Sequence, residues 1–98
     1  MDIAQVIGQV VATVKEPGLT NHKLLILRRS DPASPDGGGD DTYVAIDLVG
    51  VGRGELVLVT RGSAARIAAG INECPTDAAV VAVIDNVVID GDVTFNKF

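Results

Sequence analysis

One cysteine, Cys74, stands among these 98 residues, so neither an internal disulfide nor a zinc site built on several cysteines can form. Aromatic residues are almost as scarce. Tyr43, Phe95 and Phe98 are too few to make a platform on which nucleobases stack. Basic side chains number 8 against 13 acids, and the net charge of −5 argues against nucleic acid, whose phosphates require clustered Lys and Arg. Long apolar runs are missing too. The longest, Ala78–Ile84, has seven residues, far short of the roughly 18 or more that cross a bilayer. The opening MDIAQ sets no basic segment ahead of its apolar stretch, which argues against a secretory signal. These absences give the expectation of a cytoplasmic protein with neither membrane nor nucleic-acid partners.

What is present is apolar surface. Hydrophobic residues make up 47% of the chain and the mean hydropathy is +0.33. A single domain of this size buries only roughly 60–70% of the surface its unfolded chain exposes. The surplus is expected to be covered by neighbouring subunits.

Along the chain, residues 3–14 (IAQVIGQVVATV) are ambiguous. Apolar positions 3, 6, 7, 10, 11 and 14 fit a helical stripe, but the abundance of Val, Ile and Thr with a glycine at position 8 favours a strand. A strand is expected, with Gly8 marking a bulge or a sharp barrel corner. Lys23–Arg29 and Thr42–Val49 read as further strands, separated by residues 30–41 (SDPASPDGGGDD), a flexible acidic hairpin loop. That loop lacks the alternating acids and closing Glu of a calcium site. Glu55–Thr60 is a fourth strand. Ser63 stands where a helix N-cap belongs and Gly70 where a C-cap belongs. The two turns between them are marginal in water, so Ile67 and the alanines are expected to pack on the strands. Ala79–Ile89 supplies a fifth strand, with a possible break at Asp85-Asn86, and residues 91–98 are a tail or a short edge strand. Five strands bent by glycines, with one short helix, predict a mainly β, OB-like five-stranded barrel in a single domain.

No constellation of side chains makes an active site. Gly50, Gly52 and Gly54 suggest a phosphate loop, but the third glycine comes one position too early for a dinucleotide fingerprint and a strand follows instead of a helix. Gly62-Ser63-Ala64-Ala65-Arg66 lacks the second glycine of a nucleophile elbow. His22 reads as a surface turn residue, and Cys74 as a small, partly buried thiol. Arg28, Arg29 and Arg66 are candidates for pairing with carboxylates inside the fold or across an interface, and Asp47 and Asp85 interrupt apolar strands. No catalytic residue, cofactor or metal site is expected. Without further information the open reading is an OB-type module for a small ligand or peptide.

The ordered set of motifs resembles the EutN/CcmL family of bacterial microcompartment vertex proteins. Ile7–Lys15 (IGQVVATVK) is similar to the family's opening strand, Val44–Glu55 (VAIDLVGVGRGE) to its V-A-x-D-x-V-G-A-G-x-G-E, and Gly62–Arg66 (GSAAR) to its G-S-S-A-R. Thr76–Asp85 is similar to the strand ending in I-V-D. Val51 departs where the family usually has Ala, Ala64 where it often has Ser, and Ala4-Gln5 where Gly and a basic residue are usual. The resemblance implies a homopentamer of small barrels that closes five-fold vertices of an icosahedral shell in the cytoplasm, with hexameric or pseudohexameric shell proteins as partners. It also implies a structural role rather than an enzymatic one. Gly50, Gly52, Gly54, Glu55, Gly62, Ser63, Ala65 and Arg66 are then expected at subunit contacts or near the axial opening. Five subunits of −5 each carry −25, so the acidic loops are expected to point away from the axis.

Overall fold

The computed structural model describes residues 1–13, 15–19, 22–35, 41–69 and 75–98. Five strands close into a barrel: β1 (Asp2–Val10), β2 (Lys23–Arg29), β3 (Thr42–Asp47), β4 (Leu56–Arg61) and β5 (Ala78–Val83). Their order around the barrel is β1-β2-β3-β5-β4, with β4 returning to β1. Every pairing is antiparallel except β3 with β5. Closure leaves these strands no free edge to aggregate through.

Residues 3–14 therefore resolve as a strand, but a shorter one than expected, ending at Val10. Gly8 stands at a bulge as anticipated. Val6 pairs with Leu27 and Gly8 with Ile26, which leaves Ile7 as the extra residue. A Cβ on Gly8 would lie 3.4 Å from Ile26 Cδ1, an ordinary van der Waals contact, so space alone does not demand glycine here. A second bulge, which was not anticipated, falls in β5: Leu58 pairs with Ala82 and Val59 with Val80, skipping Val81. Both bulges bend strands that must curve to close a small barrel.

The interior is filled by Ala4, Val6, Leu25, Leu27, Ala45, Val57, Val59 and Val80, with Val51 packed among them. A second cluster lies outside the barrel wall, where Ile46 and Ala79 meet Ala65 of the short helix α1 (Ser63–Ala68), flanked by Leu19, Leu24, Leu48 and Ala69. This explains why β3 and β5 bury consecutive residues rather than alternate ones: one face lines the barrel and the other is roofed by α1.

One expectation about α1 fails, and another holds for the alanines but not for Ile67. The N-cap is Gly62 at φ 66°, ψ −144°, not Ser63, which begins the helix and makes no side-chain capping bond. Ile67 is 72% exposed, and the small Ala65, fully buried, makes the contact with the sheet. A helix lying this close to a sheet admits a methyl group where an isoleucine would push it away. The expected C-cap Gly70 lies outside the described residues, as does Cys74. The acidic loop is described as far as Pro35, where Ser34 bridges back to Asp31.

The chain ends in a hairpin of β6 (Asn86–Ile89) and β7 (Asp92–Asn96) that pairs with no barrel strand. The break at Asp85 is thus real, and the last residues form a strand rather than a tail. The hairpin has its own bulge, at Thr94, and the displaced Thr94 hydroxyl donates to the Pro32 carbonyl at 2.7 Å. At its base, Lys97 Nζ lies 3.1 Å from Glu55 Oε2. The molecule measures 44 × 23 × 23 Å. Among the described residues, no helix is long and apolar enough to cross a membrane.

Candidate functional site

The glycine-rich loop between β3 and β4 is built on Asp47. Its Oδ1 accepts from the Val49 and Gly50 amides at 3.0 and 2.9 Å, and its Oδ2 accepts from the Val51 amide at 2.9 Å. The acid that interrupts the apolar strand is therefore what ends it, by offering the backbone a better partner than the ladder. Val51 turns inward and plugs the barrel, 4% exposed, while its carbonyl accepts from Lys23 Nζ at 3.3 Å. Beyond it, the Gly54 amide donates to the Val6 carbonyl at 2.8 Å and the Val6 amide to Glu55 at 2.9 Å, sealing the loop to β1.

The three glycines of this loop are not equivalent. Gly50 and Gly54 adopt φ of +83° and +89°, where a Cβ is strained. Gly52 does not, and a Cβ built on it meets no atom within 4 Å. Among the described residues, nothing in its own chain requires glycine at position 52.

Gly62, at the other end of β4, requires its positive φ, and its amide donates to the Asp77 carbonyl at 2.7 Å. Ser63 is exposed and Arg66 half-buried. The structure does not unite the two motifs. The six residues of β4 separate them, which at about 3.3 Å per residue is about 20 Å. Nor is Ala65 available to a partner, since its side chain is enclosed by its own chain. The candidate residues thus form two separate patches, Gly50–Glu55 and Gly62, Ser63 and Arg66.

A polar cluster that the sequence reading missed ties the barrel seam. Asp2 of β1, 10% exposed at its side chain, lies 3.0 Å from Arg61 NH1 of β4 and 3.5 Å from Arg29 NH2 of β2. Tyr43 of β3 donates its hydroxyl to Asp2 Oδ2 at 3.3 Å, and the Arg61 guanidinium stands 4.3 Å from the centre of the Tyr43 ring. Burial first, and then the negative charge of Asp2, pushes the Tyr43 hydroxyl up from 10.0 to about 12. Arg29 also reaches Asp41, at 3.9 Å. The only sequence signal was an acid at position 2 with a lone tyrosine, and neither announces a partner. The expected pairing of Arg29 is thus internal. Arg28, Arg53 and Arg66 have no carboxylate within 4 Å among the described residues.

Comparison with known proteins gives the family. A family model described as "Ethanolamine utilisation protein EutN/carboxysome" matches residues 1–85. The chain belongs to the EutN/CcmL family. It is 44% identical over 98 residues to the bacterial microcompartment shell vertex protein EutN of Escherichia coli (strain K12), covering 99% of this chain and 100% of that one. The solved CcmL of Gloeobacter violaceus shares the fold with a TM-score of 0.91 at 41% identity, covering 99% of this chain and 98% of that one. A solved pentameric microcompartment shell protein, GrpN from Rhodospirillum rubrum, matches with a TM-score of 0.77 at 41% identity, covering 91% and 99% respectively. The family assignment rests on nearly the whole chain.

Proposed function

We propose that this chain forms a homopentamer that caps the five-fold vertices of a bacterial microcompartment shell in the cytoplasm, joining hexameric or pseudohexameric tiles. Its role is structural rather than catalytic. The observation that carries this reading is the near end-to-end match, at 41% identity, to a shell protein solved as a pentamer. The chain's own surface supports it. Val11, Ile67, Val88 and Val93 are 83%, 72%, 55% and 59% exposed, large apolar side chains that subunit contacts would cover.

The Gly50–Glu55 loop and the Gly62–Arg66 turn are proposed as contact or axial-pore elements. Gly52 is the best-supported member, because its glycine has no explanation inside the subunit. Native mass spectrometry tests the assembly. Five copies of 10.1 kDa are expected to fly as one species, and a protein that is solely monomeric or dimeric at micromolar concentration overturns the reading. Co-expression with hexameric tiles tests the vertex role: closed polyhedra are expected with the protein present, and open or elongated shells without it.

A further inference from the structure

The β6–β7 hairpin and the face of β1 carry features that neither the barrel nor the hairpin satisfies alone. A two-stranded ribbon is marginal in water unless another surface covers it, yet this one pairs with no barrel strand. Val88 and Val93, directly opposite one another, are both exposed. Its tip is rigid. Asp90 at φ 51° and Gly91 at φ 81° have the two positive values of a type I′ turn, which fixes Asp90 beside Asp92. Both acids are exposed, and neither has a cation within 4 Å among the described residues.

The complementary surface lies at the β1 bulge. A cleft of about 370 Å³ is lined by Gln5, Val6, Ile7, Arg28, Arg53 and Gly54. Arg29 and Arg61, by contrast with Arg28 and Arg53, are engaged by Asp2. The bulge sets Ile7, the unpaired residue, beside these two arginines. In a chain of charge −5, this cleft sets Val6 and Ile7 beside two guanidinium groups that meet no carboxylate within 4 Å among the described residues and that suit planar, bidentate pairs.

We propose that the acidic hairpin tip of one subunit docks in the Arg28–Arg53 cleft of its neighbour, Asp90 and Asp92 facing the guanidinium groups and Val88 and Val93 covered beside Ile7. This rests on the pentameric reading above and specifies one of its contacts. Within its own subunit the hairpin is tied instead at Glu55 and Pro32. Lys97 ties the hairpin base to Glu55, next to the cleft residue Gly54, and the tip stands a strand length away, about 15 Å. Ring closure requires two different patches that meet head to tail, and these two differ in charge and match in chemistry.

The test is charge reversal in the full-length protein, read by native mass spectrometry at fixed ionic strength. Arg28→Glu with Arg53→Glu is expected to raise the dissociation constant of the ring by about tenfold or more, because like charges then face each other. Circular dichroism should show each subunit still folded. Asp92→Lys added to Arg53→Glu is expected to restore much of the loss. A second measurement uses Arg53→Cys with Asp92→Cys in a Cys74→Ser background, where oxidation should link neighbouring subunits into a covalent ladder. Reversal variants that assemble as tightly as the parent, together with no cross-linked ladder, overturn the docking while leaving the pentamer standing. A parent protein that is not pentameric overturns both.

Discussion

Asp2 is where four strands meet through side chains. It anchors arginines from β2 and β4 and the tyrosine of β3, and the Arg61 guanidinium that pairs with it also lies over the Tyr43 ring. Ionising Tyr43 would place a second anion against Asp2, in a half-buried site, which is why the hydroxyl holds its proton up to about pH 12. The sign of the linkage follows. The folded state raises this group above its unfolded value of 10.0, so its contribution to stability is complete below pH 10 and is lost as the pH climbs through 12. Tyr43 is the sole tyrosine and there is no tryptophan, so tyrosinate absorbance reports it alone. The titration midpoint is expected near 12 in the folded protein and near 10 in denaturant. In Asp2→Ala the folded midpoint should move down, since the neighbouring anion is gone. A midpoint at 10 in the folded parent would contradict the arrangement.

At the scale of elements, the distinction among the loop glycines can be measured. Gly54 holds φ of +89°, so Gly54→Ala is expected to cost about 1–2 kcal/mol. Gly52→Ala, with no strained φ and open space at its Cβ, should stay within about 0.5 kcal/mol. Urea unfolding of dilute, dissociated subunits separates the two. Equal losses would mean that the loop is held otherwise than by Asp47 and backbone conformation. The strands themselves were legible. Lys23–Arg29 matches β2 residue for residue, and Gly8 announced its bulge, because alternation and glycine placement are local properties. The terminal hairpin was legible as well but went unread. Asp90-Gly91 between NVVI and VTF is a strong two-residue turn signal, obscured by reading residues 79–89 as one strand. The helix cap failed for a different reason. Ser63 has the right chemistry, but Gly62 has the freedom to turn at φ 66°, and the sharp entry from β4 demanded freedom first. Long-range features had no local signature: the parallel β3–β5 contact that closes the barrel, the burial of Ala65 in place of Ile67, and the gathering of Asp2, Arg29, Tyr43 and Arg61.

For the whole molecule, the question is which features serve the subunit and which serve the ring. Gly50, Gly54 and Gly62 are accounted for by backbone conformation, and Asp47 and Val51 by the loop and the core they hold. Gly52 is accounted for by neither among the described residues, which is why it is the loop glycine we propose as a contact of the assembly. Gly52→Leu should therefore leave the isolated subunit folded, with an unfolding midpoint close to that of the parent, because its side chain would project into solvent. In a ring whose neighbouring backbone approaches this loop, the same side chain has no room. Close-packed interfaces accept even one added methylene only by moving their neighbours. The expected result is a folded monomer that fails to form the five-subunit species in native mass spectrometry and fails to close shells when co-expressed with hexameric tiles. A Gly52→Leu protein that still forms an ordinary pentamer would move the contact elsewhere. The Arg28–Arg53 cleft and the acidic hairpin tip would then carry the head-to-tail interface without Gly52.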